Sequence, residues 1–249
     1  MSDVTILAAL GGVALVAGFV DSIAGGGGLL CLPALLLAGL DPVSALATNK
    51  LQGTFGTASA TYAFWNKGAL HPLRHGLSVL TTFMGAALGV AAVAYAPKQL
   101  LSLALPPLLI LIALYFAFAP RLKNEAHEPR LPQSAFTLGF APAIGFYDGI
   151  FGPGTGSFFM LALTTLFGLG IVEATGRTKL FNFTSNIAAL LMFAAGGKII
   201  WLTGLVMGVG QVIGAQAGAH LAIRNGAAII RPLLVIVCLA MAAKLLLAR

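Results

Sequence analysis

The chain has 249 residues, of which 59% are hydrophobic and 8% are charged, and its net charge at pH 7 is +7. Soluble domains carry about a quarter charged residues, so this composition excludes a soluble protein and indicates an integral membrane protein with several spans. The positive charge does not indicate a partner such as nucleic acid, because the cations lie mostly in short connectors, where the positive-inside rule places them.

The first half of the chain alternates apolar segments with polar or helix-breaking residues. Residues 4–20 predict a first membrane segment, and residues 21–28 predict a break rich in glycine. The apolar stretch 29–40 that follows is too short to cross a bilayer alone, since a spanning helix needs about 20 residues. Asp41 as N-cap and Pro42 in the first turn predict the start of a helix that runs to about Trp65. Residues 76–96 and 99–119 predict two further spanning helices.

The second half follows the same order after a polar connector at residues 120–132. Residues 134–147 lead into a second break at 148–156, and residues 157–169 form a second short apolar stretch. Residues 172–195, 200–223 and 230–247 predict three spanning helices. The sequence therefore predicts an all-α polytopic membrane protein. Its single membrane domain comprises an N-terminal repeat at residues 1–119, a connector at 120–133 and a C-terminal repeat at 134–249.

Matched residues support an internal duplication. A shift of 127 residues places six residues of the first break on identical residues of the second: Gly18, Phe19, Asp21, Ile23, Gly25 and Gly27. A shift of 129 residues places Lys50 on Lys179. The same shift places the pair Gly85 and Gly89 on Gly214 and Gly218, and this G-x-x-x-G spacing lets membrane helices approach closely.

The number of crossings predicts how the two halves are related. Three spanning helices plus a broken segment pair, whether re-entrant or fully spanning, give each half an odd number of crossings, which inverts the second half in the membrane. Most of the cations then lie on one side, as the positive-inside rule requires, and both termini face outward. That side holds Lys67, Arg74, Arg121, Lys123, Arg130, Arg224 and Arg231, whereas Lys98, Lys198 and Arg249 lie opposite.

The two glycine runs are candidate anion-binding sites. Each precedes a short apolar helix, and the free N–H groups and positive dipole end of a helix N-terminus attract anions. The alternative is that these glycines only permit tight turns or close packing. The residues concerned are Gly25, Gly26, Gly27 and Gly28 in the first half, and Gly154, Thr155 and Gly156 in the second.

Lys50 and Lys179 are the matched cations of the two halves. Polar side chains accompany each of them: Asn49 and Gln52 in the first half, and Asn182 and Asn186 in the second. Lys179, Asn182 and Asn186 are spaced i, i+3, i+7 and share one helix face. We expect these residues to bind the same anion. The alternative, that each lysine extends to the membrane interface, applies to Lys50 and more readily to Arg177.

Asp21 and Asp148 are the matched acids. Either could bind and release a proton and so couple anion movement to a proton gradient. The structural alternatives are that each caps the following helix or pairs with the lysine of its own repeat.

Catalytic and metal-binding patterns are lacking in the sequence. No nucleophile–base set, P-loop or dinucleotide fingerprint occurs, so neither an enzyme nor a cofactor is expected. His71 and His75 are spaced i, i+4 without an evident third ligand, and with His220 they are expected to be interfacial rather than metal ligands. Cys31 and Cys238 lie in apolar runs, which argues against a disulfide.

Several motifs resemble those of the TauE/SafE family of sulfite and sulfoacetate exporters. The first half carries G-F-x-D-x-I-x-G-G-G from Gly18, Leu32-Pro33, and Ala47-Thr48-Asn49-Lys50; the second half carries residues 145–157 and K-x-x-N-F-x-S-N from Lys179. The resemblance covers nearly the whole chain. It implies a multi-pass transporter of the bacterial inner membrane that moves a sulfur-containing anion such as sulfite, sulfoacetate or another organosulfonate.

The residues and the resemblance together predict a secondary transporter that works by alternating access. The expected partners are a small anion, the lipid bilayer, and a proton or sodium ion as coupling ion. A passive anion channel and a membrane scaffold without transport activity are the alternatives. In a scaffold, substitutions at Lys179 and Asn182 would leave every activity unchanged.

Overall fold

A computed structural model describes residues 3–95, residue 107 and residues 126–225. The spans predicted at 99–119 (apart from residue 107) and 230–247, residues 120–125 of the polar connector, and Cys238 lie outside the described residues. Within these limits the chain is entirely helical, as the sequence predicts. The first half contains α1 Val4–Ala24, α2 Gly27–Leu37, α3 Pro42–Asn66 and α4 Gly76–Tyr95, with a 3₁₀ turn at Pro72–His75.

The second half repeats this succession of long and short helices. A single turn at Gln133–Ala135 and a π-helical turn at Phe136–Phe140 lead into α5 Ala141–Ile150. They are followed by α6 Thr155–Thr165, α7 Ile171–Ala195 and α8 Trp201–Asn225. Among the described residues, the stretches Val4–Ile23, Pro72–Val93 and Trp201–Asn225 are long and apolar enough to cross a membrane. The short helices α2 and α6 rise only about 16 Å and cannot cross it alone.

The two helix breaks are shorter than predicted. We expected them to begin at Asp21 and Asp148, but the chain stays helical to Ala24 and Ile150. The first break consists of Gly25 and Gly26, because α2 already begins at Gly27. Gly25 has a φ of 81°, a left-handed conformation that glycine adopts at little cost, and its N–H donates to the Asp21 carbonyl. The acids therefore lie on the last turns of α1 and α5.

The start of α3 is as predicted. Asp41 is its N-cap and accepts hydrogen bonds from the N–H groups of Val43 and Ser44, at 3.2 and 3.3 Å. Pro42 occupies the first turn, where its missing N–H costs nothing.

Two helices of the first repeat pack along helices of the second repeat. α1 packs along α8 of the second half, and α4 packs along α5. The predicted close-packing glycines lie in these contacts: Gly85 and Gly89 against the carbonyls of Pro142 and Phe146, and Gly214 and Gly218 against those of Leu15 and Phe19. Any Cβ at these four positions would overlap a main-chain oxygen. The G-x-x-x-G prediction is confirmed.

The equivalent helices α3 and α7 also pack together, and they run in opposite directions. Phe64 near the end of α3 lies against Gly176 near the start of α7. At the other end, Thr48 accepts a hydrogen bond of 3.1 Å from the N–H of Ile200, which follows α7. This pair of matched helices is therefore antiparallel. The orientation of the halves in a bilayer stays a prediction.

Apolar side chains divide between the core and the outer surface. Phe136, Phe159 and Phe181 are fully buried and pack around one another with ring centroids 5.1–6.4 Å apart. Large apolar residues on the outer helices are exposed, among them Leu15, Val16, Leu77, Leu80, Leu88, Trp201 and Val209. A surface of this kind suits contact with lipid acyl chains.

The glycine contacts yield a stability prediction. We expect Gly214→Ala to lower the unfolding free energy by about 1–3 kcal/mol, because the new methyl group overlaps the carbonyl of Leu15. Gly12→Ala is the matched control, since a Cβ at Gly12 on α1 meets nothing within 4 Å. Thermal unfolding in detergent should show a lower Tm for Gly214→Ala and an unchanged or higher Tm for Gly12→Ala. Equal Tm values would contradict the tight helix contact.

Candidate functional site

The two helix breaks meet in the middle of the molecule. Gly25 of the first break lies against Gly156 at the start of α6, and a Cβ on Gly25 would lie 2.6 Å from the main-chain nitrogen of Ser157. Only glycine permits this approach of two backbones. The breaks that the sequence matched by repetition are therefore in direct contact.

Two ion pairs cross between the repeats at this junction. Lys50 of α3 lies 2.7 Å from Asp148 of α5, and Lys179 of α7 lies 3.1 Å from Asp21 of α1. The alternative in which each acid pairs with the lysine of its own repeat is therefore wrong. Each lysine side chain instead reaches the acid of the other repeat. Extension to the interface is also wrong for Lys50, whose side chain is 1% exposed.

Asp21 has a partner for each carboxylate oxygen. Its Oδ1 accepts a 3.0 Å hydrogen bond from the N–H of Gly27, the first residue of α2, and its Oδ2 faces Lys179. The Lys179 ammonium also donates to the main-chain oxygen of Asp21. The prediction that Asp21 caps the next helix is confirmed. One N–H of the α2 N-terminus, which was expected to bind an anion, is therefore already occupied.

Asp148 is bound differently. Its Oδ1 pairs with Lys50 and accepts a 2.7 Å hydrogen bond from the hydroxyl of Thr155, the first residue of α6. Asp148 therefore contacts the first residue of α6 through a side-chain hydroxyl, whereas Asp21 is bound by a backbone N–H of the next helix. Its second oxygen, Oδ2, is buried and has no hydrogen-bond partner in the described part of the chain. The two matched acids therefore have unequal surroundings.

A polar cavity of about 30 Å³ lies between the two ion pairs. Five amide side chains contribute to its wall: Asn49, Gln52, Asn182, Asn186 and Gln211. Lys50, Asp21, Asp148, Thr57 and seven glycines complete the wall, the glycines being Gly25, Gly27, Gly28, Gly53, Gly152, Gly154 and Gly156. Since about 10–15 Å³ holds one water molecule, the cavity has room for a small ligand or a few waters.

The amides are partly bonded to one another. Gln52 donates to the Asn49 oxygen at 2.7 Å, and Asn186 donates to the Asn182 oxygen at 3.3 Å. The second bond confirms that Asn182 and Asn186 share a helix face. The oxygen of Gln52 is buried without a partner among the described residues. The cavity thus presents amide donors together with acceptors that remain unused.

The ion pairs lie at different levels along the helix axes. Asn186 of α7 packs beside Gly53 of α3, which marks the level of the cavity. Lys50 precedes Gly53 by three residues and Lys179 precedes Asn186 by seven, on helices that run in opposite directions. At 1.5 Å per residue, the two lysine Cα positions are separated by about 15 Å along the axes. The two lysine Cα positions therefore lie on opposite sides of the level at which Gly53 and Asn186 pack together.

Most of the predicted site residues line this cavity, but three do not. Gly26 belongs to the first break but does not line the cavity. Thr155 and Lys179 bind the lining residues Asp148 and Asp21 without lining the cavity themselves. Sequence reasoning missed four lining residues: Gly53, Thr57, Gly152 and Gln211. Gln211 could have been found, because it is the first amide of α8, in a stretch at 201–219 that contains no charged residue and is mostly apolar, and it is 3% exposed.

The remaining candidates lie away from this cavity. His71 and His75 line a separate space of about 360 Å³ with Arg74, Glu173 and Arg177. Arg177 pairs with Glu173 at 2.5 Å, one turn away on α7. Among residues 3–95 and 126–225, no three histidine, cysteine or acidic residues lie close enough together to hold a metal ion. Cys31 is buried as a free thiol.

The crossed pairs can be tested by double substitution. We expect Asp148→Ala to destabilise the protein by about 3–5 kcal/mol, because it leaves the buried Lys50 without a counterion. Adding Lys50→Met should recover much of this loss. In the matched control, Lys50→Met combined with Asp21→Ala should give additive losses, because the two residues belong to different pairs. Recovery in the control and not in the crossed combination, as measured by Tm in detergent, would contradict the assignment.

Comparison with known proteins places the chain among bacterial relatives. It is 48% identical over 241 residues to the probable membrane transporter protein ORF9 of Sinorhizobium sp, covering 97% of this chain and 92% of the relative. It is 48% identical over 234 residues to the probable membrane transporter protein YfcA of Escherichia coli K12, covering 94% and 87%. A probable membrane transporter protein of Haemophilus influenzae is 42% identical over 242 residues, covering 97% and 95%.

No solved structure shows a significant match to the chain. The family model described as sulfite exporter TauE/SafE matches residues 10–245, nearly the whole sequence. The apolar helices agree with a multi-pass membrane protein. The chain belongs to the sulfite exporter TauE/SafE family.

Proposed function

We propose that this protein is a secondary transporter that moves a small sulfur-containing anion, with sulfite as the first candidate, across the bacterial inner membrane by alternating access. Membrane transport is supported by the family and by the names of the relatives. The observation that carries the mechanism is the polar cavity between two ion pairs that cross from one repeat to the other.

The chemistry of the cavity supports a small oxyanion. Asn49, Asn182 and Asn186 can donate hydrogen bonds to oxygen atoms, and Lys50 supplies a positive charge at the wall. The small volume favours an inorganic anion such as sulfite over sulfoacetate or a larger organosulfonate. The sulfur atom itself is suggested only by the family description, since amide donors would also accept other oxyanions.

The positions of the ion pairs support alternating access. Asp148–Lys50 and Asp21–Lys179 each join one repeat to the other. The two lysine Cα positions are about 15 Å apart along the helix axes. Separation of one pair would open the cavity to one side while the other pair keeps the second side closed. The two repeats would then rock against each other around the junction of the glycine breaks.

The antiparallel packing of α3 and α7 supports inverted repeats in the membrane. In this topology the loop at Lys67 lies on the cytoplasmic side and the equivalent loop at Lys198 lies on the opposite side. Both residues are exposed. A parallel duplication would place these equivalent loops on the same side.

Cysteine labelling tests the topology. In a variant that lacks Cys31 and Cys238, Lys198→Cys should react with a membrane-impermeant thiol reagent added outside intact cells. Lys67→Cys should react only after the membrane is permeabilised. Labelling of both positions under the same condition would contradict inverted repeats.

Transport is tested by sulfite counterflow in proteoliposomes. Excess unlabelled sulfite inside should stimulate the entry of radiolabelled sulfite, which is a property of a carrier and not of a channel. Asn182→Ala should raise the half-saturating sulfite concentration about tenfold or more, the effect of losing one hydrogen bond to a charged group. Asn66→Ala, at the exposed end of α3, is the matched control and should leave this concentration unchanged.

The outcomes separate the alternatives. Competition by sulfoacetate, taurine, thiosulfate, sulfate and chloride ranks the substrates. A current that follows the anion gradient without counterflow would indicate a channel. The absence of both activities in a folded sample would contradict transport of this anion and favour a scaffold.

A further inference from the structure

The two matched acids differ in the bonding of their second oxygen. Asp21 Oδ1 is bound by the N–H of Gly27 and Asp21 Oδ2 by Lys179. Asp148 Oδ1 is bound by Lys50 and Thr155, whereas Asp148 Oδ2 has no partner in the described part of the chain. The Asp148 side chain is only 2% exposed and lines the cavity. An ionised oxygen in such a place lacks the donor that burial normally requires.

We propose that Asp148, and not Asp21, binds the proton that is transported with the anion. This inference rests on the proposed function and assigns its coupling ion to one residue. A proton from the aqueous phase bonds to Oδ2, and the resulting neutral acid turns its O–H toward the cavity. The O–H can then donate to an oxygen of the anion. Loss of this proton on the other side of the membrane restores the carboxylate.

The charges around the cavity explain why the proton and the anion bind together. With both acids ionised, Lys50 and Lys179 are each neutralised by an acid, so an anion meets no net positive charge. Protonation of Asp148 leaves the positive charge of Lys50 without a counterion. A monoanion in the cavity then replaces the lost negative charge. The buried group stays neutral overall in both states, which a low-dielectric site requires.

Asp21 does not fit the role of the residue that binds the transported proton. Its carboxylate holds the N-terminus of α2 through Gly27 and holds Lys179, which also donates to the Asp21 backbone. Protonation of Asp21 would weaken the helix cap and the ion pair together, without an unused oxygen to receive the proton. Asp21 is therefore a positioning residue that keeps the first break in place.

Few other charged groups face Asp148. Lys50 on α3 is its direct partner, and Tyr147 precedes it on α5, with its hydroxyl donating 2.6 Å to the Pro153 carbonyl. α4, which packs along α5, carries no Asp, Glu, Lys, Arg or His between Gly76 and Tyr95. α7 contributes Lys179 across the cavity, and Glu173 and Arg177 pair with each other at its first turns. Among the described residues, Lys50 is therefore the charged group that contacts Asp148 directly.

The experiment compares two sulfite fluxes in the same proteoliposomes: uptake driven by an imposed pH gradient, and counterflow without a gradient. Protein-free liposomes supply the background. In wild type both fluxes should be present. The amide of Asp148→Asn resembles the protonated acid. In this variant we expect the uptake driven by the pH gradient to fall to the level of protein-free liposomes while counterflow remains above that level, so the ratio of driven uptake to counterflow falls. In Asp21→Asn this ratio should stay at the wild-type value even where both fluxes fall.

Each result decides one hypothesis. Driven uptake that survives in Asp148→Asn, or a ratio lost only in Asp21→Asn, overturns the assignment. If the wild type shows counterflow but a pH gradient drives no uptake, the assignment is also overturned, whereas the proposed function remains intact. An absence of wild-type counterflow contradicts the proposed function instead.

A second measurement does not depend on transport. Infrared difference spectra on addition of sulfite should show a protonated carboxyl band in wild type and in Asp21→Asn. Asp148→Glu should shift this band, because the acid is kept with a longer side chain, and Asp148→Asn should abolish it. The absence of the band in wild type, or the same unshifted band in Asp148→Glu, would overturn the proposal even if Asp148→Asn fails to fold.

Discussion

The pairing of buried charges is the constraint on which the centre of this protein depends. Two lysines and two acids lie almost fully out of contact with solvent, where an unpaired charge would cost several kcal/mol. Each pair joins one repeat to the other, so the charges can be satisfied only when both halves are in place. Formation of the cavity and association of the repeats are therefore one event.

Small residues make this association possible. Lipid tails are as apolar as leucine, so membrane helices gain little by the hydrophobic effect and depend on close contact. Gly85, Gly89, Gly214 and Gly218 bring α4 to α5 and α8 to α1 until the backbones touch. These tight contacts hold α1 and α5, which carry the acids, at a fixed distance from the lysine helices. The glycine pattern and the charge pattern thus serve the same geometry.

Much of the fold followed from the sequence because its signals are local or repeated. The cap at Asp41, the ends of α3 and α7, the short helices and the G-x-x-x-G contacts could all be predicted. The break boundaries could not, because glycine is compatible with a helix as well as with a turn: Gly27 and Gly28 begin α2. The partner of each lysine could not be predicted either, and the alternative of pairing within one repeat is wrong, because repetition shows which residues are equivalent and not which of them touch.

Site residues could be predicted where a polar side chain occurs within an apolar helix, as at Asn182 and Asn186. Gln211 was missed because its counterpart at a shift of 129 residues is Thr82, so it does not belong to a matched pair of amides. The unequal bonding of Asp21 and Asp148 could not be read from the sequence, because it depends on a threonine hydroxyl in one half and a backbone N–H in the other.

The pairing of each acid with the lysine of the other repeat has a consequence for how such a chain could arise. A single ancestral half would bury one acid and one lysine that do not meet each other. Two copies related by a two-fold axis would satisfy both, because each would supply the acid for the other's lysine. Gene fusion would then only have joined two subunits that already needed each other. After fusion each pair could diverge separately, and the different surroundings of Asp21 and Asp148 are the kind of specialisation that identical subunits could not have had.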